Sequence, residues 1–202
     1  MRAALELFTT KGYHETTTPL IAARAGIAEG TIYRHFASKD ELLNEIYRAG
    51  IRLFLGALRE ADPRERCRER LQQVARRWRD LAAREPALLR LVFSDVAAQL
   101  VDDKSRLSAR ELHAELEKLV AAGKAAGEVR AGSAELWSEV WLRCVLLPLE
   151  RVSRGTWKPD EAPVQQVFDA AWDAIKSVGA TPSEVVPAST PSDSPQRAPS
   201  TQ

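Results

Sequence analysis

Between Thr17 and Lys39 the chain sets out short polar and cationic side chains at close intervals. Thr17 and Thr18 come first, then Arg24, then Ala28, Glu29, Gly30, Thr31, Tyr33, Arg34 and His35, and finally Lys39. These residue types suit hydrogen bonding and point charge. A threonine hydroxyl can meet a phosphate or a base edge, and its methyl can meet that of thymine. An arginine fork can take guanine O6 and N7 together. Arg34 either reads guanine in this way or stands in solvent. Gly30 lets a backbone approach closely. The chemistry of bond making is poorly represented by comparison. There is no Gly-x-Ser-x-Gly, no phosphate loop and no His-Glu-x-x-His, and two of the three histidines, His14 and His35, fall within the first 47 residues. The chain is therefore not expected to be an enzyme, and neither a cofactor nor a metal is expected. Cys67 and Cys144 are far apart and offer no zinc spacing and no disulfide framework.

The elements that must position these side chains are two short helices joined by a tight turn. Thr18 can cap a helix that starts with Pro19 and buries Ile21, Ala22 and Ala25. Gly26 sits where the turn needs a positive φ, which costs any residue with a Cβ. Ile27 packs back, and a second short helix follows with Ile32 and Phe36 inward. Ala22, four residues before Gly26, keeps the helix crossing close. The pattern is a helix-turn-helix, the unit that lays a recognition helix in the DNA major groove. Spacing alone also fits an ordinary pair of short helices.

Charge does not favour nucleic acid globally. Lys and Arg number 29 against 28 Asp and Glu, a net +1. Within residues 1–48, Arg2, Lys11, Arg24, Arg34, Lys39 and Arg48 are cancelled by Glu6, Glu15, Glu29, Asp40, Glu41 and Glu45. Any DNA binding must come from placed cations and helix N-termini rather than a basic surface. No stretch approaches the roughly 18 apolar residues of a membrane span, and no signal peptide opens the chain, so a cytoplasmic protein is expected.

Before residue 180 the punctuation is helical throughout. Ser38 with Glu41 makes a capping box ahead of Leu42, Leu43, Ile46 and Tyr47. Asp62, Pro63 and Glu65 read as a second start. Pro86 opens a helix, Gly127 and Gly155 end two others, and Asp160 can cap the last. About nine helices are expected, at 2–10, 18–24, 28–35, 38–60, 63–84, 86–100, 104–126, 133–153 and 160–178. The fold class is all-α, with a helix-turn-helix domain over 1–47 and a helical domain over 48–179. Residues 180–202 are rich in Pro, Ser and Thr, lack large apolar groups and are expected to be disordered.

The N-terminal segment resembles the TetR family of transcriptional regulators. The residues that carry the likeness are Ala3-Ala4-Leu5-Glu6-Leu7-Phe8, Lys11-Gly12-Tyr13, Thr17-Thr18, Ile21-Ala22, Ala25-Gly26-Ile27, Gly30 to Phe36, and Ser38 to Leu42. The likeness covers residues 3 to about 47; the rest is similar only in outline, as a run of helices and a Gly127-Glu128-Val129-Arg130 stretch. The resemblance implies a ligand-responsive repressor that binds a palindromic DNA operator as a homodimer and is released by a small-molecule effector. An alternative is a ligand- or partner-binding module of the same fold with weak or lost DNA binding. It further implies phosphate or base contacts for Tyr33 and His35, and a phosphate anchor at Lys39. Thr17 and Thr18 would serve phosphate as well as the cap. Glu29 departs from the family pattern. It could accept from cytosine N4, with Arg24 offsetting its charge. Chains of this family carry more residues, often basic, ahead of the first motif, so either a truncated start or a missing phosphate contact is expected.

The body holds all five tryptophans. Trp137 and Trp141 lie one turn apart beside Cys144, a stripe that reads either as core or as a cavity wall. The family's ligand cavity would then draw on Trp78, Phe93, His113, Trp137, Trp141 and Cys144. His113 is either a polar handle there or a surface or core residue. Pro148 kinks its helix and frees the carbonyl of Cys144, for packing or for a ligand. Arg143 pairs with Glu139. Val164, Val167, Phe168, Ala171, Trp172 and Ile175 form a 3.6-period stripe, which suits either a four-helix dimer interface or packing within the subunit.

Overall fold

The computed structural model describes residues 1–178, and the Pro/Ser/Thr-rich segment lies outside them. Among the described residues the chain is all-α, with ten helices and a single isolated β-bridge. The helices are α1 (Arg2–Thr10), α2 (Thr18–Ala25), α3 (Glu29–His35), α4 (Lys39–Arg59), α5 (Cys67–Arg84), α6 (Pro86–Val92), α7 (Asp95–Leu100), α8 (Asp103–Ala125), α9 (Ala134–Ser153) and α10 (Ala162–Ile175). The first three and the start of α4 form a head. The remainder of α4 runs into a body of α5, α6, α8, α9 and α10.

Local chemistry sets the boundaries. Ser38 Oγ accepts from Glu41 N at 3.1 Å and the Glu41 carboxylate accepts from Ala37 N, so the capping box at α4 forms one residue wider than the simplest case. The expected helix over 86–100 is two helices. Phe93 ends the first, and Ser94 Oγ accepts from Ala97 N to start the second. The start expected at Pro63 fails because Asp62 Oδ1 accepts from Arg64 N and Glu65 N donates to Asp62 O. That side-chain turn competes with a helix cap, and α5 begins at Cys67. Asp160 does not cap α10; Glu161 holds the N-cap position without a side-chain bond, and Pro163 lies in the first turn.

Close helix crossings depend on small residues. A Cβ on Gly50 would lie 2.9 Å from Leu88 Cδ1, so only glycine lets α4 meet α6. A Cβ on Gly123 would overlap Cys67, 2.6 Å from its Cβ, at the α8–α5 crossing. Gly127, at φ +74°, turns the chain out of α8. The Gly127–Arg130 stretch then ties down the end of α10: Arg130 N donates to Ile175 O at 3.0 Å and Ser177 N to Glu128 O at 2.7 Å. Pro148 lies inside α9 and is buried.

Candidate nucleic-acid interface

Gly26 has φ +67° and closes α2, as its sequence position requires. Ile21 and Ala22 on α2 and Ile32 on α3 are buried against the α1 and α4 core. Ala25 and Ile27 are not buried as expected. The left-handed turn carries the chain away from the core, and Ile27 is 44% exposed even though its N–H donates to Ala22 O. Phe36 is half-buried against the core.

The α2 cap falls one residue earlier than expected. Thr17 is the N-cap, its hydroxyl accepting from Leu20 N at 3.4 Å, and Thr18 is the first helical residue. The Thr18 hydroxyl, buried, turns instead to α3. It donates to Glu29 Oε1 at 3.0 Å and lies 2.8 Å from the Tyr33 hydroxyl. Glu29 thus faces Thr18. The expected offset by Arg24 does not form either, because Arg24 pairs with Glu6 on α1.

Lys39 has an internal role that its sequence position does not reveal. Its Nζ donates to Tyr13 O at 2.9 Å and Thr16 O at 2.8 Å and sits 4.1 Å from the centre of the Tyr13 ring. The loop between α1 and α2 is therefore strapped to the start of α4. Tyr13 adds a second strap, its hydroxyl donating to Asp40. Burial first, and then this bond to Asp40, raise the Tyr13 phenol well above its ordinary range. Neither Tyr13 nor Asp40 stands out in the sequence as a functional residue. A strap across 27 residues has no local signal.

On the outer side of α3 the structure leaves Gly30, Tyr33, Arg34 and His35 exposed, with Ala28 just ahead of them and Thr31 half-buried. Tyr33 is 51% exposed. Neither Arg34 nor His35 appears in any hydrogen bond or ion pair among the described residues. Thr17 is exposed at the neighbouring end of α2. This face is polar, and Thr31 and His35 also border a cleft of about 490 Å³ between α1, α2 and α3. It supplies a guanidinium, an imidazole, a phenol and two threonine hydroxyls without a nucleophile–base pair.

Of the residues expected to line a body cavity, Trp78, Phe93 and Trp141 come together in one aromatic cluster, and His113, Trp137 and Cys144 lie apart from it. Trp78 and Trp141 are fully buried with ring centres 6.1 Å apart, and Phe54 and Phe93 pack on Trp78 at 5.7 Å and 6.0 Å. Trp78 Nε1 donates to Phe54 O at 2.9 Å. The four rings fill the space expected to be open. Phe93 alone reaches a cleft, of about 280 Å³ between α6 and α9, together with Arg90, Glu150 and Arg154. His113 is on the surface, 3.6 Å from Glu139, which also receives Arg143 at 2.7 Å. Trp137 is half-exposed under Arg130, and Cys144 is half-buried on another part of α9.

The α10 stripe is likewise taken up within the chain. Val164, Phe168, Ala171, Trp172 and Ile175 are buried, chiefly on α9, and Val167 is half-buried. Those five are already covered within the subunit, and Val167 alone of the six keeps appreciable exposed surface. The surface left open by α9 includes Leu136 and Leu147, at 53% and 47% exposure, with Val140 between them half-buried.

No helix among the described residues is long and apolar enough to cross a membrane. Residues 1–46 match the model of the tetR family of bacterial regulatory proteins. The HTH-type transcriptional repressor KstR2 of Mycobacterium tuberculosis is 42% identical over 48 residues, 24% of each chain. The chain spans less than half the length of the curated relatives it matches: 24% of KstR2, 30% of the fatty acid metabolism regulator protein of Bacillus subtilis, and 43% of the HTH-type transcriptional activator FasR of Mycolicibacterium smegmatis, to which it is 30% identical over 94 residues. Solved structures match over far more. A tetR family transcription regulator from Shewanella sp. PV-4 superposes with TM-score 0.72 at 24% identity, over 88% of this chain and 96% of the other. FadR from Bacillus subtilis, solved in complex with stearoyl-CoA, superposes with TM-score 0.69 at 21% identity, over 86% and 96%.

Proposed function

We propose that this chain, whose residues 1–46 match the model of the tetR family of bacterial regulatory proteins, is a transcriptional repressor that binds an inverted-repeat operator in double-stranded DNA as a homodimer and is released by a small-molecule effector. The observation that carries the reading is the outer ridge of α3. Ile32 is buried while Gly30, Tyr33, Arg34 and His35 are exposed, the Tyr33 hydroxyl lies against Thr18, and Lys39 ties the loop between α1 and α2 to the start of α4. An exposed helix face whose Arg34 and His35 side chains carry no internal partner is what groove recognition needs. KstR2 is named a repressor, the sense adopted in this proposal, and FasR an activator.

The dimer would form through the exposed faces of α9 and α10, around Leu136, Val140 and Leu147, not through the buried α10 stripe. A two-fold pair would present its recognition helices about 34–36 Å apart, one DNA turn. The effector would enter between α6 and α9 beside Phe93, where Arg90 and Arg154 could meet an anionic group. Stearoyl-CoA in the similarly folded FadR makes acyl-CoA the first effector class to try. Because the aromatic cluster is closed, such a ligand must open it. It would then act through α4, by its differential affinity for two head spacings.

The test is a binding selection on random duplex DNA with the full chain, followed by affinity for the selected site at two salt concentrations. An enriched palindrome whose affinity falls steeply with salt supports the reading. No enrichment, or salt-independent binding, rejects it in favour of a ligand- or partner-binding module.

A further inference from the structure

The polar chain of Glu29, Thr18 and Tyr33 has a direction, and the direction limits what Tyr33 can recognise. An ionised carboxylate only accepts hydrogen bonds, whereas a threonine hydroxyl has one proton and two acceptor sites. Thr18 Oγ1 lies 3.0 Å from Glu29 Oε1, so its one proton goes there. The 2.8 Å contact between Thr18 and Tyr33 must then be made by the Tyr33 proton. Thr18 is 9% exposed, so water cannot readily replace its bonds. The phenol oxygen of Tyr33 keeps its lone pairs and has no proton left to give.

Resting on the reading that α3 enters the major groove, we infer that Tyr33 is a specificity-determining residue whose hydroxyl acts as an acceptor, and so reads the exocyclic amino group of adenine or cytosine. A phosphate offers only acceptors, and so do guanine and thymine at their major-groove edges. Against all three the oriented hydroxyl of Tyr33 is mismatched. Glu29 is then a positioning residue. It acts through Thr18 and sets the polarity of a side chain to which it makes no hydrogen bond of its own. This also accounts for a carboxylate so close to a DNA-facing ridge: its charge is spent inward.

The experiment is the random-duplex selection run in parallel on the wild-type chain and on Tyr33→Phe, Thr18→Val and Thr18→Ser, with a thermal melt of each. The wild type is expected to enrich adenine or cytosine at one half-site position. Tyr33→Phe keeps the ring and removes the acceptor. It should flatten that position alone, by roughly 2- to 10-fold in relative affinity, the range for one net hydrogen bond. Thr18→Val frees the Tyr33 proton and should turn the same position toward guanine or thymine; Thr18→Ser keeps the relay and should retain the wild-type preference. If the wild type enriches a site but Tyr33→Phe leaves every position unchanged, or Thr18→Val changes affinity without changing base preference, the inference fails while the DNA-binding reading stands. If the wild type enriches no site, both fail. Should Thr18→Val not fold, Tyr33→Phe decides alone.

Discussion

The head and the body of this chain are built on opposite plans. In the head, side chains at the surface are held by polar straps: Lys39 to the carbonyls of Tyr13 and Thr16, Tyr13 to Asp40, and Thr18 to Glu29. The body is held by shape. Four aromatic rings close its centre, and glycines at 50 and 123 let helices touch. A surface that must match an external helix tolerates little change in residue type, whereas a core tolerates any set of apolar groups of the right volume. The family match accordingly stops at residue 46, while the fold match runs over 88% of the chain.

The comparison is tested most severely by Trp78→Ala. Removing a fully buried indole and its bond to Phe54 should cost about 3–5 kcal/mol, read as a fall in urea midpoint. A loss below about 1 kcal/mol would mean that the aromatic cluster is not the closed core described here. Next is Gly123→Ala, for which overpacking against Cys67 should cost about 1–3 kcal/mol. Adding Cys67→Ala should recover part of it. Purely additive losses in a double-mutant cycle would separate the two sites.

In the head, Lys39→Met and Arg34→Ala should part company. Lys39→Met leaves two loop carbonyls without their cation and should cost about 1–3 kcal/mol of stability as well as weakening all DNA sequences alike. Arg34→Ala should leave the melting temperature within a degree or two and change only site preference. Equal melting temperatures for the two variants would remove the distinction between strap and reader.

The smallest effect concerns the seam between the two regions. Asn44 on α4 accepts from Asp102 N at 2.8 Å and from the fully buried Ser105 hydroxyl at 2.7 Å. Arg48 Nη1 reaches Asp102 and Ser105. The bond that Asp102 accepts from Ser105 N, and secondarily the Arg48 charge, hold the Asp102 carboxyl below its ordinary range. A depressed carboxyl contributes stability above its unfolded value near pH 4, and that contribution is lost as pH falls through its folded value. Asp102→Asn should therefore reduce the acid sensitivity of unfolding below about pH 4. An unchanged acid profile would place the acid-labile groups elsewhere.

Much of the head was legible in advance. Gly26 at positive φ, Ile21, Ala22 and Ile32 inward, the Ser38–Glu41 cap and the free Arg34 all follow from types at fixed local spacing. The misreadings share one physical cause. Thr18 could cap or donate across the turn, Lys39 could meet phosphate or a carbonyl, and the α10 stripe could face a partner or α9. In each case the side chain is competent for both, and the choice lies with groups distant in sequence.

Helix content, order and approximate ends were determined by the sequence alone, because caps, prolines, glycines and 3.6-residue periodicity act within a few residues. Tertiary structure decided which apolar stripe is already covered, whether the tryptophans enclose a space or fill one, and where the hydroxyl protons of the head point. Those outcomes depend on volumes and donor–acceptor balances summed over residues far apart in the chain, and no local pattern contains that sum.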